Sequence, residues 1–132
     1  MQINRIDHLV ITVADIERTV DFYQRVLGMQ RIEFAGGRVA LRCGTQKINL
    51  HQLGSEFEPK AHQVKTGSAD LCFIIDTPIN EAIQHVRLQG VNLVDGPVER
   101  SGANGAIVSL YLRDPDGNLI EISNYINGED CK

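Results

Sequence analysis

The sequence contains no tryptophan, few other aromatic residues and only three cysteines, which stand far apart. An odd number of cysteines without a Cys-x-x-Cys pair argues against a disulfide framework and fits a reducing cytosol. Cys43 and Cys72 lie in apolar, strand-like segments. We therefore expect both to be small, buried side chains rather than nucleophiles.

Long apolar segments and runs of one charge are also missing. No segment approaches the length of a membrane span, and charges of both signs are mixed along a chain whose net charge is −4. Without a basic run, nucleic acid and anionic membrane are poor candidates as partners. Residues 1–8 lack the apolar segment of a signal peptide, so a cytoplasmic protein is expected.

What the sequence does contain is a β-α-β-β-β pattern in its first half. Alternating apolar residues over 6–13 predict a strand. The helix after it begins at the N-cap Asp15 and ends at Gly28, a residue type typical of helix C-termini. Glycine-containing turns separate three further predicted strands, at 30–34, 38–43 and 47–51.

The second half repeats this pattern. A strand is predicted over 70–75. The next helix begins at the N-cap Thr77, has Pro78 at its first position and ends at Gly90. Three more strands are predicted, at 91–94, 106–112 and 118–123.

The two halves can be aligned position by position. His8 and Asp70 correspond, and the spacing of Asn49 and Glu121 shows that the second copy is longer by about ten residues. This duplication predicts an α+β fold in which two tandem βαβββ units form a curved mixed-sheet trough with helices on the convex face. The expected organisation is one domain, 1–132, with the first unit at 1–51, a linker at 52–68 and the second unit at 69–125.

Two connecting segments are expected to serve a site. The linker is long for a connection without structure of its own, so it is expected to cover part of the surface. The extra residues of the second copy, 95–105, are rich in glycine and other small residues. This composition predicts a mobile loop that could act as a lid.

One carboxylate stands out on the last predicted strand. A turn, Asp114-Pro115-Asp116-Gly117, is followed by an alternating segment in which Glu121 lies on the face opposite Ile120 and Ile122. A strand glutamate usually lies on a wet face. The alternative is a glutamate that lines a cavity and acts as a metal ligand or a base.

Three further metal-capable side chains share that face by the same alternation: His8, His51 and Asp70. Each alone is more often a surface or hydrogen-bonded side chain, and Asp70 also reads as the first residue of its strand. Because the pattern recurs on four strands, we expect these residues to converge with Glu121 on a divalent metal. Mixed nitrogen and oxygen ligands suit Ni, Zn, Mn, Co or Fe.

Three motifs lie at the start of the chain, in the first helix and before the last strand: Ile6-Asp7-His8-Leu9-Val10, Asp21-Phe22-Tyr23-Gln24-Arg25-Val26-Leu27-Gly28-Met29 and Arg113-Asp114-Pro115-Asp116-Gly117-Asn118-Leu119-Ile120-Glu121. They resemble motifs of the vicinal oxygen chelate superfamily, which includes glyoxalase I, fosfomycin-resistance thiol transferases, extradiol dioxygenases and bleomycin-resistance binding proteins. The segments 47–52, 56–61 and 67–73 resemble a subgroup of glyoxalase-domain or virulence-associated proteins. The resemblance implies the paired βαβββ fold, a divalent metal cofactor and a homodimer.

The resemblance also implies site residues. The ligands of the family's first and last strands fall on His8 and Glu121. The fifth-strand ligand, usually histidine, falls on Asp70, and the fourth-strand ligand, a glutamate in glyoxalase I, falls on Asn49. His51 lies two residues further on the same face and could replace Asn49.

Three functions follow as alternatives. The first is a metal-dependent lyase or isomerase of glyoxalase type, in which Glu121 moves a carbon-bound proton on a small vicinal-oxygen substrate such as a glutathione adduct. The second is fosfomycin-type thiol transfer or Fe(II) ring cleavage, of which ring cleavage ranks lower because Asp70 is not a histidine. The third is a metal-free binding or resistance protein, which the few aromatic residues disfavour. Candidates for contacting the substrate are Arg42, Tyr111 and Arg113.

Overall fold

A computed structural model describes residues 1–127, so Cys131 lies outside the described residues. Contacts divide the chain into unit 1, Met1–Ser68, and unit 2, Ala69–Lys132. Unit 1 contains β1 (His8–Val13), α1 (Ile16–Leu27), β2 (Gln30–Phe34), β3 (Arg38–Cys43) and β4 (Gln46–Gln52). Unit 2 contains β5 (Asp70–Ile74), α2 (Ile79–Leu88), β6 (Asp95–Gly102), β7 (Gly105–Arg113) and β8 (Leu119–Tyr125). The predicted α+β class with two tandem βαβββ units is confirmed.

The sheet of unit 1 has the strand order β1-β4-β3-β2, with β1 parallel to β4 and the other pairs antiparallel. Alternate strand residues such as Leu50 point to one side, where they form a core with Tyr23 of α1. As predicted, Asp15 caps α1 by accepting the Arg18 N–H at 3.0 Å. The helix ends at Gly28, which adopts the left-handed conformation.

The sheet of unit 2 repeats this arrangement in the order β5-β8-β7-β6, with β5 parallel to β8. The prediction that Thr77 caps α2 is wrong, because Pro78 precedes the first helical residue and no capping side chain comes from that turn. Instead, the Asn124 side chain of β8 accepts the Ile79 N–H at 2.8 Å. The sheet therefore satisfies a helix N–H that would otherwise lack a partner.

Two predictions for the segment before β7 are wrong. Residues 91–94 do not form a strand, and β6 begins only at Asp95. The expected lid at 95–105 is β6 itself together with the turn into β7, so these residues are held by a strand ladder. Every other predicted strand agrees with the observed bounds to within two residues.

The repeat extends to the strand register. Leu9 pairs with Ile48 in unit 1, and Leu71 pairs with Ile120 at the equivalent place in unit 2. Each sheet has one face against its helix and a second face, called here the far face, which carries the candidate site residues. Within residues 1–127, no helix is both long enough and apolar enough to cross a membrane.

Candidate functional site

The turn before β8 sets the position of Glu121. The buried Asp114 carboxylate accepts the backbone N–H groups of Asp116 and Asn118, each at 2.9 Å, and the Asn118 side-chain amide at 2.7 Å. Asn118 Oδ1 in turn accepts the Ala69 N–H at 2.8 Å. This network fixes the start of β8 beside the start of β5, and therefore the register of Glu121.

Glu121 belongs to a chain of hydrogen bonds on the far face of unit 2. Ser109 Oγ donates to Glu121 Oε2 at 2.6 Å, and Ser109 and Ser123 are joined through their hydroxyl oxygens at 2.7 Å. Ser123 Oγ also lies 3.4 Å from Cys72 Sγ. Because each hydroxyl has one proton, Ser123 must donate to Ser109 and Cys72 to Ser123. Both serines are fully buried, so the chain holds the carboxylate in one orientation.

A cavity of about 470 Å³ opens beside this chain within unit 2. Glu121, Tyr111, Arg100 and Cys72 supply its polar wall. Arg100 Nε donates to the Tyr111 hydroxyl at 3.1 Å, and a second guanidinium nitrogen lies 3.6 Å from Asp95 Oδ2. Burial raises the pKa of Tyr111, which keeps its hydroxyl protonated as a hydrogen-bond donor.

Cys72 departs from the expected role. Its side chain is exposed on the far face and lines the cavity, whereas Cys43 is half-buried. The expectation that Cys72 is a buried apolar residue is therefore wrong, because alternation along β5 turns it away from the helix. Crowding by neighbouring atoms raises the pKa of both thiols by desolvation.

Asp70 lies near Glu121 but does not pair with it. Asp70 is exposed at the start of β5 and is opposite Leu119, whereas Glu121 is opposite Cys72. The two carboxylates are therefore diagonal neighbours on adjacent parallel strands.

His8 occupies the equivalent position in unit 1. Its Nδ1 lies 2.8 Å from Asp7 Oδ2, and the hydrogen bond to His8 lowers the pKa of Asp7. Because the Asp7 carboxylate accepts at Nδ1, the proton of the neutral ring lies on Nδ1 and Nε2 keeps a lone pair. A histidine held by a carboxylate in this way is the usual arrangement of a metal-binding imidazole.

Asn49 is the diagonal neighbour of His8, as Glu121 is of Asp70. Its side chain is 5 % exposed, and its Oδ1 has no hydrogen-bond partner within the described residues. A buried carbonyl oxygen without a partner carries an energetic cost that a cation or a donor would relieve. Asn49 is therefore able to contribute an oxygen ligand.

His51 has a different environment. Arg38 Nη2 lies 3.5 Å from its Nε2, and the Phe57 ring contacts the imidazole edge to face at 5.6 Å between ring centroids. Arginine only donates, so Nε2 accepts and Nδ1 carries the proton. Desolvation, followed by the charge of Arg38, lowers the pKa of His51 and keeps the ring neutral.

The strand register separates the two histidines. His8 is opposite Lys47, whereas His51 is opposite Thr12, four residues further along the same pair of strands. At about 3.3 Å per residue this offset is roughly 13 Å. Within residues 1–127 no three side chains of histidine, cysteine, aspartate or glutamate form a metal-binding group.

The three predicted substrate-contacting residues all lie on far faces. Tyr111 is opposite Glu121 and lines the cavity. Arg42 is exposed and opposite Lys47. Arg113 is exposed, is opposite Leu119 and donates to the Gly117 carbonyl at 3.3 Å.

Several residues of these faces were missed in the sequence. Ser109 lies on the same face of its sheet as Glu121, and Arg38 lies on the same face as Arg42. Alternation along the strands could therefore have identified both residues. Arg100 lies in a segment that was expected to be a loop, and Phe57 lies in the linker, so no periodic signal marks either.

Comparison with known proteins gives consistent matches over nearly the whole chain. A family model described as Glyoxalase/Bleomycin resistance protein/Dioxygenase superfamily matches residues 5–122. The virulence protein STM3117 of Salmonella typhimurium is 58% identical over 96% of this chain and 88% of its own length. Its crystal structure gives a TM-score of 0.94, covering 96% of this chain and 100% of that chain.

Two further relatives extend this picture. An integron cassette protein from V. cholerae is 62% identical, with a TM-score of 0.93, over 95% of this chain and 98% of that chain. A lactoylglutathione lyase of Pseudomonas aeruginosa is 30% identical over 93% of this chain and 84% of its own length.

Proposed function

The chain belongs to the Glyoxalase/Bleomycin resistance protein/Dioxygenase superfamily, and from that premise we propose that it is a divalent-metal-dependent lyase or isomerase of glyoxalase type. The observation that carries the proposal is the recurrence of a diagonal ligand pair at equivalent positions of the two units. Unit 1 has His8 and Asn49, and unit 2 has Asp70 and Glu121.

In this proposal, these four side chains would together be the ligands of one divalent metal. They offer one imidazole nitrogen and three oxygens, a mixed set that suits Mn, Fe, Co, Ni or Zn. The carboxylate on His8 Nδ1 and the unpartnered Oδ1 of Asn49 agree with this role. His51 does not fit, because Nδ1 carries a proton and Nε2 faces the Arg38 guanidinium, which would repel a cation.

When bound, the metal would act as a Lewis acid and stabilise the negative charge that develops on the substrate oxygens. Glu121 would accept the carbon-bound proton and return it to the neighbouring carbon. Its link to Ser109 keeps one carboxylate oxygen fixed, and Glu121 lines the cavity together with Tyr111 and Arg100. The tyrosine hydroxyl, kept protonated, would donate to a substrate oxygen.

The substrate class is a small molecule with two vicinal oxygens, and a glutathione adduct is the first to test because a lactoylglutathione lyase is among the relatives. We also propose that the protein acts in the cytoplasm, as its few and widely spaced cysteines indicate, and as a homodimer, as the superfamily resemblance implies. Sedimentation equilibrium would measure the assembly state directly.

A paired substitution tests the metal-binding proposal. Glu121→Gln removes the anionic ligand, whereas Glu99→Gln makes the same change at an exposed position of β6 in the same sheet. Calorimetric titration of EDTA-treated protein with Mn²⁺ and Ni²⁺ should show affinity lowered by about 10–100-fold or more in Glu121→Gln only. Conversion of the methylglyoxal–glutathione hemithioacetal should be lost in the same variant. Equal metal affinity in the two variants would contradict the proposal.

A further inference from the structure

Arg100 of β6 places a cation in the wall of the unit 2 cavity, and three contacts hold its guanidinium there. Its Nε donates to the Tyr111 hydroxyl at 3.1 Å, its Nη1 donates to the Glu99 carbonyl at 3.0 Å, and its Nη2 lies 3.6 Å from Asp95 Oδ2. Its guanidinium carbon lies 5.5 Å from the centroid of the Tyr111 ring. Because a guanidinium is planar and rigid, these contacts fix its position beside the hydroxyl.

The Tyr111 hydroxyl accepts on one side and donates on the other. Since arginine can only donate, the hydroxyl oxygen accepts from Arg100 and keeps its own proton for a second partner. Glu121 lies directly opposite Tyr111 across β7 and β8. Burial raises the pKa of Tyr111, the Arg100 hydrogen bond lowers it, and the charge of Glu121 and a hydrogen bond with that carboxylate both raise it. The hydroxyl proton is therefore directed at Glu121.

Glu121 thus receives hydrogen bonds from two sides of the sheet. On one side Ser109 donates to Oε2 at 2.6 Å, and this serine is fully buried. On the other side stands the pair of Arg100 and Tyr111, both of which line the cavity. A substrate in the cavity therefore meets the tyrosine side, where the donor is backed by a positive charge.

The proposed reaction moves negative charge away from Glu121. When this carboxylate accepts the carbon-bound proton it becomes neutral, and the electron pair of the broken C–H bond passes to a substrate oxygen. Hydrogen bonds to a charged oxygen are roughly twice as strong as those to a neutral one. The Tyr111 hydroxyl can follow the charge by turning its O–H bond toward the substrate, while its oxygen still accepts from Arg100.

We propose that Arg100 is a positioning residue, which holds the Tyr111 hydroxyl so that its proton passes from Glu121 to the substrate oxygen as that oxygen gains negative charge. This inference rests on the proposed function, and it adds a residue of β6 that acts through Tyr111. The contribution to catalysis belongs to the transition state, because the hydroxyl donates to Glu121 before the proton is transferred.

Steady-state kinetics of the Mn²⁺-loaded protein with the methylglyoxal–glutathione hemithioacetal test this role. Tyr111→Phe removes a donor to the developing negative charge and should lower kcat by about 100-fold or more. Arg100→Met keeps the apolar stem and should lower kcat by about tenfold with KM nearly unchanged. Arg100→Lys retains a cation and a donor, so it should recover part of the loss. The control is Arg87→Met, which changes an exposed arginine of α2 and should leave both constants as they are.

A double-mutant cycle shows whether Arg100 acts through Tyr111. In the Tyr111→Phe background, Arg100→Met should cause no further loss of kcat, since the hydroxyl that it positions is already absent. A variant that was merely less well folded would lose activity in both backgrounds. Equal factors of loss in the two backgrounds would therefore overturn the proposal.

The ¹³C NMR signal of the Tyr111 Cζ atom tests the contact without metal or substrate. The chain has three tyrosines, so labelling them gives few signals, and Tyr111→Phe identifies the one that matters. In EDTA-treated protein Arg100→Met should shift this signal, whereas Arg87→Met should not. An unshifted signal, or an unchanged kcat in Arg100→Met, would overturn the inference and leave the proposed function standing. No conversion by the unaltered protein would instead contradict the proposed function, and the inference with it.

Discussion

At the scale of single residues, His51 shows which part of a site the sequence specifies. Its place on the far face follows from the two-residue period of a strand, and the sequence predicts that face correctly. Its chemistry depends on Arg38, which lies thirteen positions earlier and reaches Nε2 through strand pairing, and on Phe57 from the linker. Neither contact has a periodic signature, so the tautomer of His51 could not be predicted.

The lowered pKa of His51 predicts how stability changes with pH. Below the ordinary histidine value of 6.5 the unfolded chain binds a proton that the folded protein resists. The unfolding free energy should therefore be insensitive to this residue above that pH and fall as the pH drops below it, until the lowered folded-state pKa is passed. Urea titrations at pH 7.5, 6.5 and 5.5 would measure this slope.

Matched glutamine variants identify the group responsible for this slope. His51→Gln removes the buried imidazole and should flatten the acid side of the stability curve. His62→Gln changes an exposed histidine of the linker in the same unit and should leave the curve as it is. An equal loss of slope in both variants would mean that burial of His51 is not the cause.

At the scale of elements, the β6–β7 hairpin explains where sequence patterns fail. Its residues include Gly96, Pro97 and a Ser-Gly-Ala-Asn-Gly segment, a composition typical of loops. Pairing with β7 overrides that composition, and a register shift between Asp95 and Val98 accommodates the glycine and proline. By contrast, the turn at Asp114 and the cap at Asp15 are local, and both were predicted correctly.

Gly96 gives a sharp test of this hairpin. Its φ is +102°, and an added Cβ would lie 2.4 Å from the Ser109 carbonyl oxygen and 2.9 Å from the Leu110 α-carbon. Gly96→Ala should therefore destabilise the protein by roughly 3 kcal/mol or more, since both neighbours are backbone atoms that cannot move cheaply. Thermal and urea unfolding would measure the change.

Gly36→Ala is the matched control for this substitution. Gly36 also has a positive φ, +78°, but an added Cβ would meet nothing within 4 Å. Only backbone strain remains there, with an expected cost of about 1–2 kcal/mol. If the two variants lost equal stability, the close approach of β6 to β7 would not constrain the hairpin.

At the scale of the whole molecule, the duplication was the most predictable feature and its divergence the least. The equivalent register of the two sheets follows from the repeated pattern of strands and helices. The far faces have nevertheless diverged in charge. At strand positions unit 1 carries Arg38, Arg42 and Lys47 without a carboxylate, whereas unit 2 carries Asp70 and Glu121 together with Arg100 and Arg113. Only the pairing of particular strands shows which of these charges are compensated.

Metal-linked stability tests whether both units contribute to one metal. A ligand that binds only the folded state at 100 times its Kd should raise the unfolding free energy by about 2.7 kcal/mol. Mn²⁺ added to EDTA-treated protein should therefore raise the melting temperature. His8→Ala and Glu121→Gln, which remove a ligand from different units, should each abolish that increase, and Glu99→Gln should retain it.

Because His8 is exposed and its carboxylate partner is the adjacent residue, its removal should leave the metal-free melting temperature nearly unchanged. If only one of the two variants lost the increase, a single unit would suffice to bind the metal and the four-residue ligand set would be contradicted.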